Sequence, residues 1–161
     1  MPVPSSLARR AARGFTLVEL MVVMVIIGIT LGLVSLNAIP SPQQHLQNEA
    51  SRLALLLQLA RDEAIVRNRL VAFEADEMQY RFIVRNETRW DPIIDDDLLR
   101  QREFKDGPLT LLMDPNTTLP GAPLRITFGR EPVDKPFVLT LMAGAARVAI
   151  HADGIGHFVV Q

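Results

Sequence analysis

The chain has 161 residues, a formal net charge of −1 and no cysteine. This length allows one domain with an appended segment, rather than two full domains. Residues 1–14 contain three arginines and no acidic residue, whereas the rest of the chain carries 14 basic and 18 acidic side chains. A mildly acidic body argues against non-specific nucleic-acid binding. The lack of cysteine excludes a disulfide framework, a thiolate nucleophile and a Cys-ligated metal.

Residues 15–36 form an apolar run in which Glu19 is the only charged residue. As a helix, this run would extend roughly 33 Å, enough to cross a hydrocarbon core of about 30 Å. We therefore predict a transmembrane and assembly helix over residues 15–38, with the preceding arginines on the cytoplasmic side. Two alternatives are a buried core helix, which the all-round apolar surface disfavours, and an ordinary cleaved signal. The second lacks an A-x-A-like cleavage site after the run.

The sequence Gly14-Phe15-Thr16-Leu17-Val18-Glu19 joins the basic leader to the apolar run. This motif resembles the class III signal of type IV pilins and type II secretion pseudopilins. The resemblance implies that a prepilin peptidase cleaves between Gly14 and Phe15 and removes the leader, residues 1–14. It also implies that the same enzyme N-methylates Phe15.

Glu19 is unusual because an ionised carboxylate near the start of a membrane helix is costly unless it has a partner. The resemblance implies an assembly role, in which Glu19 neutralises the new amine of Phe15 on the subunit assembled before it. The alternative is a glutamate that merely reaches the membrane interface. Gly28 and Gly32 form a G-x-x-x-G pair, a candidate helix-packing face.

Residues 39–68 are predicted to form an amphipathic helix. Pro40 and Pro42 end or bend the first helix. Ser41 suits the N-cap, Pro42 the first helical position, and Gln44 the third position of a capping box. An apolar stripe follows at helical spacing: Leu46, Ala50, Leu53, Leu57, Ala60 and Ala64, widened by Leu56. Its length favours packing on a sheet over a coiled coil.

Residues 69–161 change to alternating apolar and polar positions, which predicts a β-rich head. The predicted strands are Leu70–Ala75, Met78–Arg85, Leu98–Phe104, Leu109–Met113, Leu124–Phe128, Phe137–Met142, Ala146–His151 and His157–Val160. Asp76-Glu77 and Asp153-Gly154 are candidate hairpin turns. A long helix followed by strands predicts an α+β fold, pilin-like in its order, with the helix packed on an antiparallel sheet.

Residues 53–68 resemble the helix end of minor pseudopilin H of type II secretion systems and of its minor-pilin relatives. The strand Ala146–Ile150 with its Gly154 turn is also similar. The resemblance implies a structural subunit of the pseudopilus tip complex that helps to export folded proteins across the outer membrane, without catalysis or cofactors. The alternative is a minor pilin that primes a surface type IV pilus for adhesion, motility or DNA uptake.

The same resemblance implies the partners and the location. The partners would be other minor and major pseudopilins, the prepilin peptidase and inner-membrane lipid, with secreted exoproteins as further candidates and no nucleic acid. The chain would cross the bacterial inner membrane once, with a cytoplasmic N-terminus and a periplasmic head.

We expect no metal site, although two groups were considered. The acidic loop 91–97, with Asp95-Asp96-Asp97, could offer oxygen ligands to calcium, but it lacks the spacing and the glycine of a calcium loop, so a solvated loop is favoured. His151 and His157 could face each other across a hairpin, but a solvent-facing strand surface is favoured.

Trp90 and the nearby arginines are candidates for a binding surface. Trp90, the only tryptophan, is predicted in a polar turn, either as a partner contact or folded onto its own domain. Arg81, Arg85 and Arg89 recur every four residues, but only two of them would share a strand face, which is too few for a DNA track.

Overall fold

The computed structural model describes residues 15–36, 41–116, 121–131 and 133–161. The chain divides into two compact units, residues 1–39 and residues 40–161. The first contains helix α1 (Leu17–Leu36), and the second begins with helix α2 (Pro42–Val66). Nine strands follow within the described ranges: β1 (Val71–Ala75), β2 (Gln79–Asn86), β3 (Arg89–Pro92), β4 (Arg102–Glu103), β5 (Thr110–Asp114), β6 (Leu124–Phe128), β7 (Phe137–Ala143), β8 (Ala146–Ala152) and β9 (Phe158–Val160).

Helix α1 exposes apolar side chains along its described surface. From Leu17 to Leu31 its large hydrophobic side chains are all exposed. The Thr30 hydroxyl group donates hydrogen bonds to the carbonyl oxygens of Ile26 (2.8 Å) and Ile27 (3.0 Å). Such back-bonding satisfies a polar side chain on an otherwise apolar helix. In the described ranges, no helix is long and apolar enough to cross a membrane.

Helix α2 begins where the local chemistry predicts. Ser41 has an extended backbone conformation, and its side chain accepts a hydrogen bond from the backbone N–H of Gln44 at 3.2 Å. Pro42 occupies the first turn, where its missing N–H costs nothing. The whole predicted apolar stripe is buried, Leu56 included, and the helix contacts strands of both sheets. The preference for packing on a sheet over a coiled coil is confirmed.

The head contains two antiparallel sheets instead of the single sheet that we expected. One has the strand order β3-β2-β1-β6, with β4 also paired to β2, and the other has the order β5-β7-β8-β9. The inward side chains alternate along the strands, as at Phe73, Phe82, Leu139 and Ile150, and these four are fully buried. Together with α2 they form one core, to which both sheets contribute. The α+β, pilin-like prediction is confirmed.

Seven of the eight predicted strands are present, each within one residue of its predicted bounds, but Leu98–Phe104 is wrong as a continuous strand. Only Arg102–Glu103 pairs with β2. Asp96 Oδ1 accepts hydrogen bonds from the backbone N–H groups of Leu98 (2.7 Å) and Leu99 (3.2 Å), which fixes a turn. Leu99 then anchors this turn in the core with only 1% of its surface exposed.

Strand β3 was missed, and Trp90 lies in it rather than in a turn. The hairpin between β2 and β3 has a two-residue loop, since Asn86 pairs with Arg89. Glu87 adopts a φ of 54° there. Two-residue hairpin loops are usually recognised in a sequence by Asn-Gly or Asp-Gly. Glu87-Thr88 is neither of these pairs.

Gly154 is required by its backbone conformation and by a backbone oxygen close to it. Its φ is +81°, and a Cβ atom at this position would lie 2.3 Å from the carbonyl oxygen of Asp134. We expect Gly154→Ala to lower the free energy of unfolding by more than the roughly 1–2 kcal/mol that a left-handed conformation costs an L-residue. Urea unfolding measures this change.

Gly107→Ala is the matched control, because Gly107 also has a positive φ (+92°) but nothing lies within 4 Å of its Cβ position. It should show the conformational cost alone. Equal losses of unfolding free energy for the two variants would mean that the close approach to Asp134 contributes nothing to the cost.

Candidate assembly site

The start of α1 places Glu19 in the first helical turn. The backbone N–H of Glu19 donates to the Thr16 hydroxyl at 3.3 Å and to the Thr16 carbonyl oxygen at 3.1 Å. Thr16 therefore acts as the N-cap, and Glu19 occupies the third helical position of a Thr-x-x-Glu capping sequence. Phe15 precedes this cap and has 77% of its surface exposed.

This geometry places Glu19 within one turn of the helix N-terminus, four residues after Phe15. A carboxylate is favoured at that end of a helix, since the N-terminal amide groups carry partial positive charge. Gly14 and the predicted leader, residues 1–14, lie outside the described residues. The cleavage and methylation assignments thus rest on the motif.

Gly28 lies on α1, and nothing within 4 Å of its Cβ position would contact an added side chain. Nothing described in this chain therefore requires a glycine at this position. Gly32 lies one turn further along the same helix. Their role as a packing face between subunits remains a prediction.

Two glutamates within residues 40–161, Glu49 and Glu74, are buried, and the sequence pattern does not identify them. Glu49 on α2 lies 3.4 Å from Arg52 Nη1, and burial raises the pKa of its carboxyl. Glu74 on β1 is 4% exposed and contacts two arginines, Arg81 and Arg125. Arg61 on α2 is also buried. Buried charge at these positions has no simple signal in the apolar periodicity.

Glu74 is held between strands β2 and β6. Arg81 Nε donates to its Oε2 at 2.9 Å, and Arg125 Nε donates to its Oε1 at 2.9 Å. Burial acts to raise the pKa of Glu74, but the hydrogen bonds and charges of Arg125 and Arg81 outweigh it, and the pKa is lowered. The ionised form is therefore the one that the fold stabilises.

A pH dependence follows from this lowered pKa. The stabilisation by Glu74 is fully present above its unfolded-state pKa, near 4.5, and is lost as the pH falls through the lower folded-state value. We expect Glu74→Gln to lower the unfolding free energy by about 1–2 kcal/mol at pH 7. The expected loss is modest because the two arginines are about half exposed, and solvent screens their charge. The difference from the unmutated protein should shrink below pH 4.5. Urea unfolding at pH 7 and pH 3 measures both.

Glu103→Gln provides the control, because Glu103 is exposed on strand β4 of the same sheet. It should change stability little at either pH. A Glu74→Gln cost that stays constant between pH 7 and pH 3 would contradict the ion-pair explanation.

His151 and His157, which were considered as metal ligands, are not brought together. His151 pairs across the hairpin with Val159, so it does not face His157. His157 Nδ1 instead lies 2.5 Å from Asp153 Oδ2. Burial opposes the shift, but hydrogen bonds from His157 and the backbone lower the pKa of Asp153 to about 2. In the described ranges, no group of three or more His, Cys, Asp or Glu side chains is arranged to hold a metal ion.

Two carboxylates of the acidic loop, Asp91 and Asp96, have hydrogen-bond partners nearby. Asp91 accepts hydrogen bonds from Asn86 Nδ2 and Arg89 Nε, both at 2.8 Å. These bonds lower the pKa of Asp91. Asp96 accepts the backbone bonds that fix the following turn. Both carboxylates therefore already have the partners that a structural role requires.

Comparison with known proteins agrees with this architecture. The prokaryotic N-terminal methylation motif matches residues 9–35, and the family described as type II transport protein GspH matches residues 49–154. The fold is shared with the minor pseudopilin EpsH of Vibrio cholerae (TM-score 0.58, 18% identity, 75% of this chain and 98% of that one). The solution structure of E. coli GspH is similarly close (TM-score 0.57, 18% identity, 74% and 91%).

These observations define a pilin-like subunit with a prepilin-type N-terminal motif. The chain belongs to the type II transport protein GspH family. A curated relative, type II secretion system protein H of Pseudomonas aeruginosa, is 42% identical over 90 residues, 54% of this chain. The alignment spans about half the length of that relative (52%).

Proposed function

We propose that this protein is a minor pseudopilin, a structural subunit of the type II secretion pseudopilus. The single observation that carries the proposal is the family match over most of the head, residues 49–154. The methylation motif at residues 9–35 adds the N-terminus expected of an assembling subunit. The work of such a subunit is mechanical, and it performs no catalysis.

The proposed assembly device is the N-terminal helix. Cleavage after Gly14 would create a cationic amine on Phe15, and Glu19 of the next subunit would pair with it. The exposed apolar surface of α1 supports this role, because such a surface needs lipid or other helices to cover it. The open side of Gly28 is where another helix could approach closely.

The proposed location is the bacterial inner membrane, crossed once, with the head in the periplasm. This proposal rests on the apolar run and the three arginines before it. The proposed partners are the other minor and major pseudopilins of the tip complex, the prepilin peptidase and membrane lipid.

The processing step is tested by the mass of the mature N-terminus. We expect purified protein from the native host to begin at N-methylated Phe15. A Gly14→Leu variant should keep its leader, because the resemblance assigns the cut to the Gly14–Phe15 bond. A mature chain that begins elsewhere would contradict the assignment.

Incorporation into a filament tests the function itself. Secretion filaments and surface pili are isolated separately from cells that produce a tagged protein, and each fraction is quantified by mass spectrometry. We expect the protein in the secretion filament. Its presence in surface pili alone would support the second candidate, a minor pilin, whose fold and processing would be the same.

A further inference from the structure

The sheet β3-β2-β1-β6 has an outer face that does not pack on α2. Phe73 and Phe82 point to the core, so the outer face carries their strand neighbours. We define it by Glu74, Arg81, Arg85, Trp90 and Arg125. The register pairs Glu74 with Arg81 on β2 and with Arg125 on β6, so these three side chains lie in one row across the sheet. Arg85 pairs with Trp90 in a second row.

Trp90 lies across this face instead of projecting from it. Strands β3 and β6 are three steps apart, or roughly 14 Å at the usual strand spacing. The Arg125 guanidinium carbon is nevertheless only 5.5 Å from the centre of the Trp90 ring. The two side chains must therefore meet above the intervening strands. Beneath them, Ala72 and Ile83 are 0% and 4% exposed although they belong to the outer face.

Contacts within the chain hold the side chains of the outer face in place without a partner. Glu74 anchors Arg81 and Arg125 from below, and Arg125 in turn covers Trp90. The Arg85 Nε group donates to the backbone carbonyl of Glu87 at 3.2 Å. Side chains held in this way lose little conformational entropy on binding, which favours a specific contact.

The charge of the face differs from that of the chain beyond residue 14. Three arginines (Arg81, Arg85 and Arg125) stand against one buried carboxylate, Glu74, while Glu103 lies at the far edge beside Gln79. Arg81 and Arg125 keep 50% and 44% of their side-chain surface exposed. Guanidinium groups present further N–H donors that match a carboxylate. Tryptophan and arginine together are typical of the energetic centre of protein interfaces.

We infer that this outer face docks a carboxylate-bearing segment of another polypeptide, with acidic side chains on the arginines and apolar groups over Trp90. The assignment of that polypeptide to a neighbouring subunit of the filament rests on the proposed function. The binding chemistry itself does not, and it is testable on the purified protein.

Trp90 supplies the readout, because it is the only tryptophan. The full chain in neutral detergent is titrated with hexaglutamate, with hexalysine and with a single-stranded thymidine oligonucleotide, while Trp90 fluorescence is recorded. We expect hexaglutamate to change the emission saturably, and hexalysine to have no effect. Arg85→Ala should weaken hexaglutamate binding roughly tenfold, the scale for losing a charge-assisted hydrogen bond.

Arg147→Ala is the matched control, because Arg147 is an exposed strand arginine on the other sheet. It makes the same charge change and should leave hexaglutamate binding unaltered. Equal weakening by both variants would show a non-specific charge effect and overturn the inference. Absence of any response to hexaglutamate, or a response to the oligonucleotide alone, would also overturn it. Neither result would bear on whether the chain enters the secretion filament.

Discussion

Glu19→Ala is expected to leave the protein in the membrane but to reduce its incorporation into filaments roughly tenfold or more, as loss of a charge pair in an apolar setting implies. The change removes the only charged side chain between residues 15 and 36. Membrane retention should therefore not fall. The proposed partner, the amine of Phe15 on the preceding subunit, would be left without its counter-charge.

Photo-crosslinking measures this effect. A benzoyl-phenylalanine at Met24, an exposed position on α1, captures neighbouring helices in intact cells. Glu19→Asp keeps the carboxylate and should retain part of the crosslinking, whereas Glu19→Gln should resemble the alanine variant. Normal crosslinking of Glu19→Ala to neighbouring subunits would contradict the proposed pairing of Glu19 with the Phe15 amine.

Leu57→Ala should lower the unfolding free energy more than any other substitution proposed for residues 40–161. Leu57 is fully buried on α2, which contacts both sheets, so a cavity there would weaken the whole core. Removing a buried leucine side chain costs about 2–5 kcal/mol of unfolding free energy. Urea unfolding of the purified protein in detergent, followed by Trp90 fluorescence, measures the loss.

Leu55→Ala is the matched control on the same helix. Leu55 is 68% exposed, and an exposed substitution of this kind should change stability by no more than about 0.5 kcal/mol. Equal losses for the two variants would contradict the packing of α2 that places one leucine in the core and the other in solvent.

The elements that the sequence predicted well are those whose pattern has a single physical cause. The stripe from Leu46 to Ala64 repeats at helical spacing, and all of its members are buried. Ser41 and Pro42 mark the start of α2 through hydrogen bonding and a missing donor. Strand β6 has the predicted bounds because apolar and polar residues alternate without interruption from Leu124 to Phe128.

The features that were missed depend on contacts between distant residues. The hairpin at Glu87-Thr88 contains no glycine, so the sequence predicts a polar turn where the structure has β3. Asp96 belongs to an acidic run that resembles a solvated loop, yet its carboxylate fixes the turn that interrupts the predicted strand. Glu74 is buried only because strands on both sides supply an arginine. Periodicity along one segment cannot show such partners.

The candidate site shows the same division. The motif from Gly14 to Glu19 is local, so the sequence alone carries it, and the structure adds the Thr16 cap that orients Glu19. The outer face of Trp90 and Arg125 needs the order of four strands before its residues come together. No spacing in the sequence joins these two residues.

Deletion of the gene tests whether this chain serves secretion. Exoenzyme retained in the periplasm and pilus-dependent motility are measured together in cells that lack this gene, with and without a complementing copy. We predict periplasmic retention with normal motility, and recovery of secretion on complementation. Normal secretion with lost motility would contradict the assignment to the type II secretion pseudopilus and move the protein to the surface pilus.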